Sequence, residues 1–335
     1  MSFIGRAGLL ALLLAASTGP ALAEKRDAWH VDGRLLGKDG EKAEDVSGMA
    51  CATDQGFPRL CVVIDDNVQH AQFVEVHDGE IIVGKPVDLI ANSFEGKALE
   101  LDGEAVAFAD GFYYVIGSHG HPRDKKGKLK SKANAAEIRA RIAASSQIVR
   151  FREDGAGVDR SARLRDIIAA DRTLRPFMDK RLEKNGLTIE GLAFGPGGKL
   201  FVGFRGPVLS GNRAVVLSVG AKALFEGGDD RHETFRLRLG PGRGVRDLTS
   251  FAGSLLILAG PAADEPGSYA LYLWNGRSEK VRLLAELPFK GKRKPEAVLP
   301  LDVTKSKLRA LVLFDSEKEG SPTPVEVPYR ERWEI

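Results

Sequence analysis

The sequence has few cysteines and no long apolar run. Only two of its 335 residues are cysteine, which excludes a small scaffold held together by many disulfides. No stretch approaches 18 consecutive apolar residues, so the sequence predicts no membrane span. P-loop, HExxH, EF-hand and GxSxG patterns are also missing, so Ser118 is not expected to be the nucleophile of a GxSxG hydrolase.

Glycine is abundant, and the charges are almost balanced. The 38 glycines make up about 11% of the chain, above the ~7% of average usage, and predict many tight turns. Hydrophobic residues at 43% and charged residues at 28% are typical of a folded globule rather than a disordered chain. A net charge of +3 argues against nucleic acid as a partner.

The first 23 residues have the features of an export signal. Arg6 precedes an apolar run over residues 8–16, and Ala21-Leu22-Ala23 forms an A-x-A cleavage pattern. We therefore expect residues 1–23 to be a signal peptide and the mature protein to be periplasmic or secreted. An apolar N-terminal core helix is the alternative.

Cys51 and Cys61 bracket a turn-rich segment at residues 53–58. If the flanking residues are antiparallel strands, the two cysteines face each other, and an oxidising compartment allows them to form a disulfide. Two buried free thiols are the alternative. Because Cys-x-x-Cys spacing is missing, the expected bridge is structural rather than redox-active.

One pattern recurs five times along the chain: an acidic residue beside a small one, a turn, and a dense apolar strand. The aligned positions, 57, 86, 57 and 49 residues apart, are Ser47, Glu104, Glu190, Asp247 and Glu296. Repeats of this length with several short strands are typical of β-propeller blades. The sequence thus predicts an all-β propeller with five blades, or six if the longest interval hides a degenerate blade.

Residues 24–335 are expected to form one propeller domain with insertions at about 120–146 and 171–186. The Ala-rich stretch at 133–144 predicts a short helical insertion between blades 2 and 3. The last blade is short of a strand, while Trp29–Leu36 has no partner. Pairing that segment with Pro324–Tyr329 would close the ring and remove exposed sheet edges.

In a propeller, the starts of the innermost strands meet at the mouth of the central channel. This geometry makes Glu104, Glu190, Asp247 and Glu296 candidate ligands of a divalent cation, with Ca²⁺ favoured because all four offer oxygen donors. His119 or His121 would open the site to Zn²⁺ or Mn²⁺. In the alternative interpretation, the acids accept backbone N–H bonds from neighbouring blades and lock the ring.

Two further residues are candidates for catalysis. Arg205 could clamp an anionic group and His119 could act as general acid or base. The alternatives are an ion pair between Arg205 and one of the acids, and a surface turn at His119 that continues into Pro122. The Lys-rich loop at 123–132 would either steer an anion towards the mouth or form a solvated linker.

Five segments carry a family resemblance, and they are Tyr114–His119, Ile189–Ala193, Val202–Pro207, Val245–Leu248 and Leu258–Pro261. They resemble domain-of-unknown-function family 3616, a group of bacterial proteins, over roughly residues 40–320 and most specifically over 99–262. The resemblance implies a propeller-like fold and brings no catalytic residue. The Glu-Gly-Leu-Ala strand start is also similar to phytase-like and lactonase-type propellers, which implies channel-mouth carboxylates that hold Ca²⁺ or another divalent ion.

Two functions follow from these observations. The first is a metal-dependent hydrolase of an anionic ester, either a phosphate ester or a lactone, with the four acids holding the ion. The second is a non-catalytic propeller that binds a ligand or protein, with structural acids. We expect the acids to share one ion in the first case, and to pair separately with neighbouring blades in the second.

Overall fold

Short antiparallel strands make up the fold, for which a computed structural model describes residues 23–25, 27–123, 132–289, 293–304 and 306–330. In chain order the strands are β1 (Glu24–Lys25), β2 (His30–Asp32), β3 (Val46–Cys51), β4 (Arg59–Asp65), β5 (His70–His77), β6 (Glu80–Asp88), β7 (Ser93–Phe94), β8 (Lys97–Ala98), β9 (Gly103–Ala109), β10 (Phe112–Gly117), β11 (Ile148–Arg152), β12 (Asp159–Ser161), β13 (Thr188–Phe194), β14 (Lys199–Leu209), β15 (Arg213–Gly220), β16 (His232–Arg238), β17 (Arg243–Phe251), β18 (Ser254–Pro261), β19 (Ala270–Trp274), β20 (Val281–Glu286), β21 (Lys294–Thr304), β22 (Lys307–Asp315) and β23 (Thr323–Pro328). The α-helices are α1 (Ala135–Ser145), α2 (Arg163–Ala170) and α3 (Ala221–Phe225).

The strands form the five blades of a propeller. Blade 1 contains β3 to β6, blade 2 β9 to β12, blade 3 β13 to β16 and blade 4 β17 to β20. Blade 5 contains β21 to β23 and takes β1 as its fourth strand. The prediction of an all-β propeller with five blades is confirmed.

Blade 5 joins the two ends of the described chain. Strand β1 pairs antiparallel with β23, with Glu24 opposite Glu326. The sequence assigned this pairing to Trp29–Leu36, which was wrong: within that segment β2 instead pairs parallel with β6 of blade 1. Trp29 and Val31 pack on the apolar cluster between blades 5 and 1, which explains the apolar pattern that suggested a closing strand.

The core is divided among the interfaces between blades. Five apolar clusters each contain residues of two neighbouring blades, so both faces of every sheet are buried. The small residue of the repeated pattern is needed where inner strands approach closely. A Cβ added to Gly48 would lie 2.8 Å from the Cα of Ala105, and one added to Gly191 would lie 2.9 Å from the Cβ of Leu248.

Helical segments interrupt the propeller at two places around blade 2. Helix α1 occupies the Ala-rich stretch that the sequence predicts to be helical, and it lies inside blade 2, between β10 and β11. Helix α2, for which the sequence analysis named no helix, lies between blades 2 and 3 and buries Leu164, Ile167 and Ile168. Within the described ranges, no helix is long and apolar enough to cross a membrane.

Cys51 and Cys61 lie directly opposite each other on β3 and β4 and form a disulfide, as predicted. The bridge closes a loop with a sequence separation of 10 residues.

Replacing both cysteines by serine should lower the free energy of unfolding by about 2–3 kcal/mol, since the unfolded chain regains the entropy of that loop. Denaturant unfolding measures this change. Reduced wild-type protein should have the same free energy of unfolding as the variant. A variant as stable as the oxidised wild-type protein would contradict the prediction.

Candidate functional site at the channel mouth

Each innermost strand has a β-bulge near its start, where one residue has no partner on the second strand. The skipped residues, found in every blade at the same place, are Ser47, Glu104, Glu190, Arg246 and Glu296. Bulges re-aim side chains and often adjoin functional sites. The sequence alignment was therefore wrong by one residue in blade 4, where Arg246 rather than Asp247 is equivalent to the three glutamates.

A cavity of about 520 Å³ lies at this mouth. Its acidic lining residues are Asp45, Asp66, Glu100, Asp102, Glu104, Glu137, Glu190, Glu296 and Asp315. Its basic lining residues are Lys38, Arg123 and Arg141. Among the described residues, nine acids and three bases line the cavity, and four of these acids, Glu100, Glu190, Glu296 and Asp315, form ion pairs with a basic side chain. The described lining is therefore acidic, although the whole chain carries a small positive charge.

Arg246 holds two of the glutamates. Its side chain is 3% exposed, and its Nε lies 3.0 Å from Oε2 of Glu190 in blade 3. Its second guanidinium nitrogen pairs with Oε1 of Glu296 in blade 5. One buried cation thus links three consecutive blades, and it balances charge at two of the predicted metal ligands. Arg246 was missed from the sequence, because the bulge that aligns it with the three glutamates depends on pairing with the second strand.

Arg205 completes the charge balance at Glu190. One of its nitrogens donates to Oε1 of Glu190 at 3.0 Å, and another donates to Asp264 at 2.7 Å and to the carbonyl of Ala263 at 3.1 Å. Its Nε donates to the carbonyl of Ala262 at 3.0 Å. Every guanidinium nitrogen therefore has a protein acceptor. The ion-pair alternative for Arg205 is what the geometry favours, and the clamp on an anion stays a prediction.

Asp247 is buried and holds backbone in place. Its Oδ1 accepts the N–H of Leu248 and its Oδ2 accepts the N–H of Val298 in blade 5, both at 2.7 Å. Burial raises the pKa of Asp247 to about 8. This side chain does not line the cavity. It locks one blade to the next, as the structural alternative in the sequence analysis supposed.

Glu104 differs from the other predicted ligands because it faces the cavity and lacks a partner. Within the described residues, no hydrogen bond or ion pair reaches its carboxylate, which is only 4% exposed. Burial raises its pKa well above the usual range, and the charges of Glu190, Asp102 and Asp66 raise it further. Arg123 acts in the opposite direction, by favouring the ionised form.

A second set of acids, from blades 1 and 2, lines the cavity together with Glu104. The side chain of Asn67 donates to Asp45 at 2.6 Å and to Asp66 at 2.5 Å. Ser118 donates to Asp102. Burial, together with Asp102, Asp45 and Asp65, raises the pKa of Asp66 well above its usual range. These carboxylates therefore repel one another across the cavity.

The two histidines do not join this cavity wall. His119 is buried with φ +55°, and its Nδ1 lies 2.9 Å from the carbonyl oxygen of Gly117. Burial lowers the pKa of His119 to about 4, so the ring is neutral at pH 7. His121 is half-buried, with Nδ1 3.0 Å from the carbonyl oxygen of Pro122. Catalysis by His119 stays a prediction, and neither ring is among the residues that line the cavity.

The four predicted ligands do not form one donor set. Asp247 binds backbone, Glu190 and Glu296 pair with Arg246, and Glu104 is the one of the four without a partner among the described residues. In the part of the chain that the structure describes, no group of three or more His, Cys, Asp or Glu side chains could hold a metal ion. These residues do not fit the Ca²⁺ ligand set expected from the sequence, and a divalent cation at the mouth stays a prediction.

Fold and cavity together define a five-bladed propeller with a ligand-sized acidic pocket at one end of its channel. The profile of the family described as "Protein of unknown function (DUF3616)" matches residues 41–151 and 154–323, and the chain belongs to that family. This confirms the resemblance inferred from the sequence. A comparison with curated proteins finds no match.

Solved structures show only a distant likeness. The arabinanase Arb43A of Bacillus subtilis is 11% identical with a TM-score of 0.40, over 87% of this chain and 95% of that chain. An exo-β-1,3-galactanase from Clostridium thermocellum is 10% identical with a TM-score of 0.43, over 90% of this chain and 62% of that chain. A glucose dehydrogenase is 13% identical with a TM-score of 0.38, over 86% and 83%. At these values no activity carries over to this chain.

Replacing Arg246 by methionine should lower the free energy of unfolding by about 3–5 kcal/mol, because two buried carboxylates lose their shared cation. Denaturant unfolding measures the loss. Arg213→Met is a matched control at a part-exposed arginine 3.5 Å from Glu279, and should cost less than about 1 kcal/mol. Adding Glu296→Gln to Arg246→Met should cost less than the two separate changes together. A loss for Arg246→Met no larger than the control's would contradict this account.

Replacing Glu104 by glutamine should stabilise the protein at pH 8 and flatten its stability profile. Because the folded-state pKa of Glu104 is raised, the native state keeps a proton that the unfolded chain releases. Wild-type stability therefore falls as pH rises from the unfolded pKa towards the folded one, by at most about 1.4 kcal/mol per pH unit for one group.

The measurement is denaturant unfolding from pH 4 to pH 8, with Glu137→Gln as a control at a half-buried glutamate of the same cavity. The advantage of Glu104→Gln over wild type should shrink towards pH 4. An advantage that is constant with pH, or equal in the control, would contradict the account.

Proposed function

We propose that the protein is a ligand-binding propeller whose acidic mouth binds a small organic cation, such as a polyamine. The observation that carries this proposal is the excess of nine acidic over three basic side chains among the described residues that line a cavity of about 520 Å³. A cavity of this volume is in the usual range for small-molecule sites, about 300–1,000 Å³.

The charge available to a ligand comes from one side of the mouth. Glu190 and Glu296 are balanced by Arg246, so they offer little to a further cation. Asp66 and Glu104 instead have raised pKa values, which means that their negative charges are under-compensated. Protonated amines would donate charge-assisted hydrogen bonds to these carboxylates and relieve their repulsion.

The spread of the acids favours an extended cation over a single ion. A metal ion needs several donors within a few ångströms, which the described side chains do not supply. A polyamine carries its charges several bonds apart and matches carboxylates spread around a wall. The anionic ligand expected from the sequence stays a prediction, and residues 124–131 of the Lys-rich loop lie outside the described residues.

Hydrolysis is the second candidate, because two carboxyl groups with raised pKa values, Asp66 and Glu104, line the cavity. In this case Asp66 or Glu104 in its protonated form would act as the general acid, and an ionised neighbour would act as the base. The predicted substrates, a phosphate ester or a lactone, are tested by hydrolysis assays of p-nitrophenyl phosphate and γ-butyrolactone, with and without Ca²⁺. Turnover that Glu104→Gln abolishes would favour the hydrolase.

We also propose that the protein works outside the cytoplasm. The signal-like residues 1–23 and the disulfide between Cys51 and Cys61 both support this location, since such bridges persist in oxidising compartments. Residues 1–22 lie outside the described part of the chain.

Isothermal titration calorimetry with spermidine at low salt tests the binding proposal. Wild type should bind spermidine, and affinity should fall at least tenfold in the double variant Asp66→Asn with Glu104→Gln and also in 0.5 M salt, because the attraction is electrostatic. Glu233→Gln, at an exposed glutamate on β16, is the control and should bind like wild type.

A neutral ligand and an anionic ligand serve as controls for spermidine. The neutral 1,8-octanediol and the anion citrate should not bind at the mouth. Spermidine that does not bind, or binds equally to the double variant, would overturn the cation proposal. Citrate binding that Glu104→Gln strengthens would favour the anionic ligand instead.

A further inference from the structure

A second cavity, of about 250 Å³, is lined by the later residues of the inner strands, away from the acidic mouth. All five blades contribute to its wall, which is mainly apolar. Its apolar lining residues include Val106, Phe108, Leu192, Phe251, Leu299 and Val303. No member of this wall lines the acidic cavity.

Arg59 gives this apolar cavity a buried positive charge. It lines the cavity, is 2% exposed, and donates from two guanidinium nitrogens to the carbonyl of Pro300 at 3.0 Å. A longer bond of 3.3 Å reaches the carbonyl of Asp54. These acceptors are neutral, so they satisfy donors without balancing the charge.

The Arg59 guanidinium also has a hydrogen-bond donor and a charge that the described residues leave without a partner. Its Nε is buried and has no hydrogen-bond partner within the described residues. No carboxylate of the described chain forms an ion pair with it within 4.0 Å, although Asp54 and Asp302 lie at the cavity. Asp302 is bound instead to Arg309, at 3.0 Å from its Nε. Buried charges are usually paired, so an unpaired arginine in an apolar cavity indicates that a negative group is supplied from outside.

We propose that this second cavity binds a small amphipathic carboxylate, with its apolar chain against the channel wall and its carboxylate at Arg59. A neutral apolar ligand would leave the guanidinium unbalanced. A cation could not form an ion pair with the guanidinium, although Asp54 and Asp302 also line the cavity. Guanidinium and carboxylate match in charge and in hydrogen-bond geometry, and an apolar chain suits the remaining wall.

Calorimetric titration of the intact protein with octanoate tests this proposal, with 1-octanol and octylamine as matched neutral and cationic ligands. Octanoate should bind at least tenfold more tightly than either. Val303→Glu adds a negative charge at a cavity residue that is 47% exposed, so the variant should fold and should weaken octanoate binding at least tenfold. Leu283→Glu is the control, since Leu283 is 38% exposed on β20 outside the cavity and should leave binding unchanged.

Arg59→Met separates the charge from the apolar wall. In this variant octanoate should lose its advantage over 1-octanol, while 1-octanol binding should be kept if the cavity is intact. Because Arg59 also joins blade 1 to Pro300 of blade 5, unfolding of this variant would leave the Val303→Glu and Leu283→Glu pair as the decisive comparison. The proposal is overturned if octanoate does not bind wild type, if 1-octanol binds as tightly, or if Val303→Glu binds octanoate as wild type does.

Discussion

Arg246 lies between two glutamates that come from the neighbouring blades on either side of it. In this ring each inner strand turns one bulged side chain to the channel mouth, and three of the five are glutamates. Three carboxylates at one buried place would repel one another unless a cation lies among them. A protein cation supplies that balance for Glu190 and Glu296, and Arg205 adds to it at Glu190. The rest of the mouth depends on this arrangement, because it divides the acids into a balanced half and an unbalanced half.

The acids without a balancing cation, Glu104 and Asp66, determine the proposed ligand binding at the mouth. Glu104 has no partner within the described chain, and Asp66 shares a single amide donor with Asp45. Burial and mutual repulsion raise the pKa values of Glu104 and Asp66, so each costs stability when it ionises. A bound cation offsets this loss of stability, because it favours the ionised carboxylates. The residues that destabilise the fold at high pH are therefore the ones proposed to bind the ligand. Functional sites are often less stable than the scaffold around them for this reason.

Sequence patterns were sufficient for most of the fold. Strands buried on both faces produce dense apolar runs, such as Leu255–Leu258 and Ala310–Phe314, and glycine-rich turns separate them. The disulfide followed from two cysteines placed symmetrically around a turn. The site was harder, because each ion pair joins residues from different blades. A bulge shifts the equivalent position by one residue. Asp247 was therefore aligned with the glutamates although it binds backbone, whereas Arg246 occupies the equivalent position and pairs with Glu190 and Glu296. The strand register at a bulge depends on pairing with the second strand, and the spacing of the sequence repeats does not reveal it.

The most direct test of the account measures the pKa of Glu104 by ¹³C-carboxyl NMR, with the resonance assigned by its loss in Glu104→Gln. The account predicts a pKa above the usual 4.5 in the free protein and a lower pKa once spermidine is bound, because the cation favours the ionised form. A pKa near 4.5 in the free protein, or a raised pKa that spermidine leaves unchanged, would contradict the claim that an uncompensated carboxylate at this mouth receives a cationic ligand.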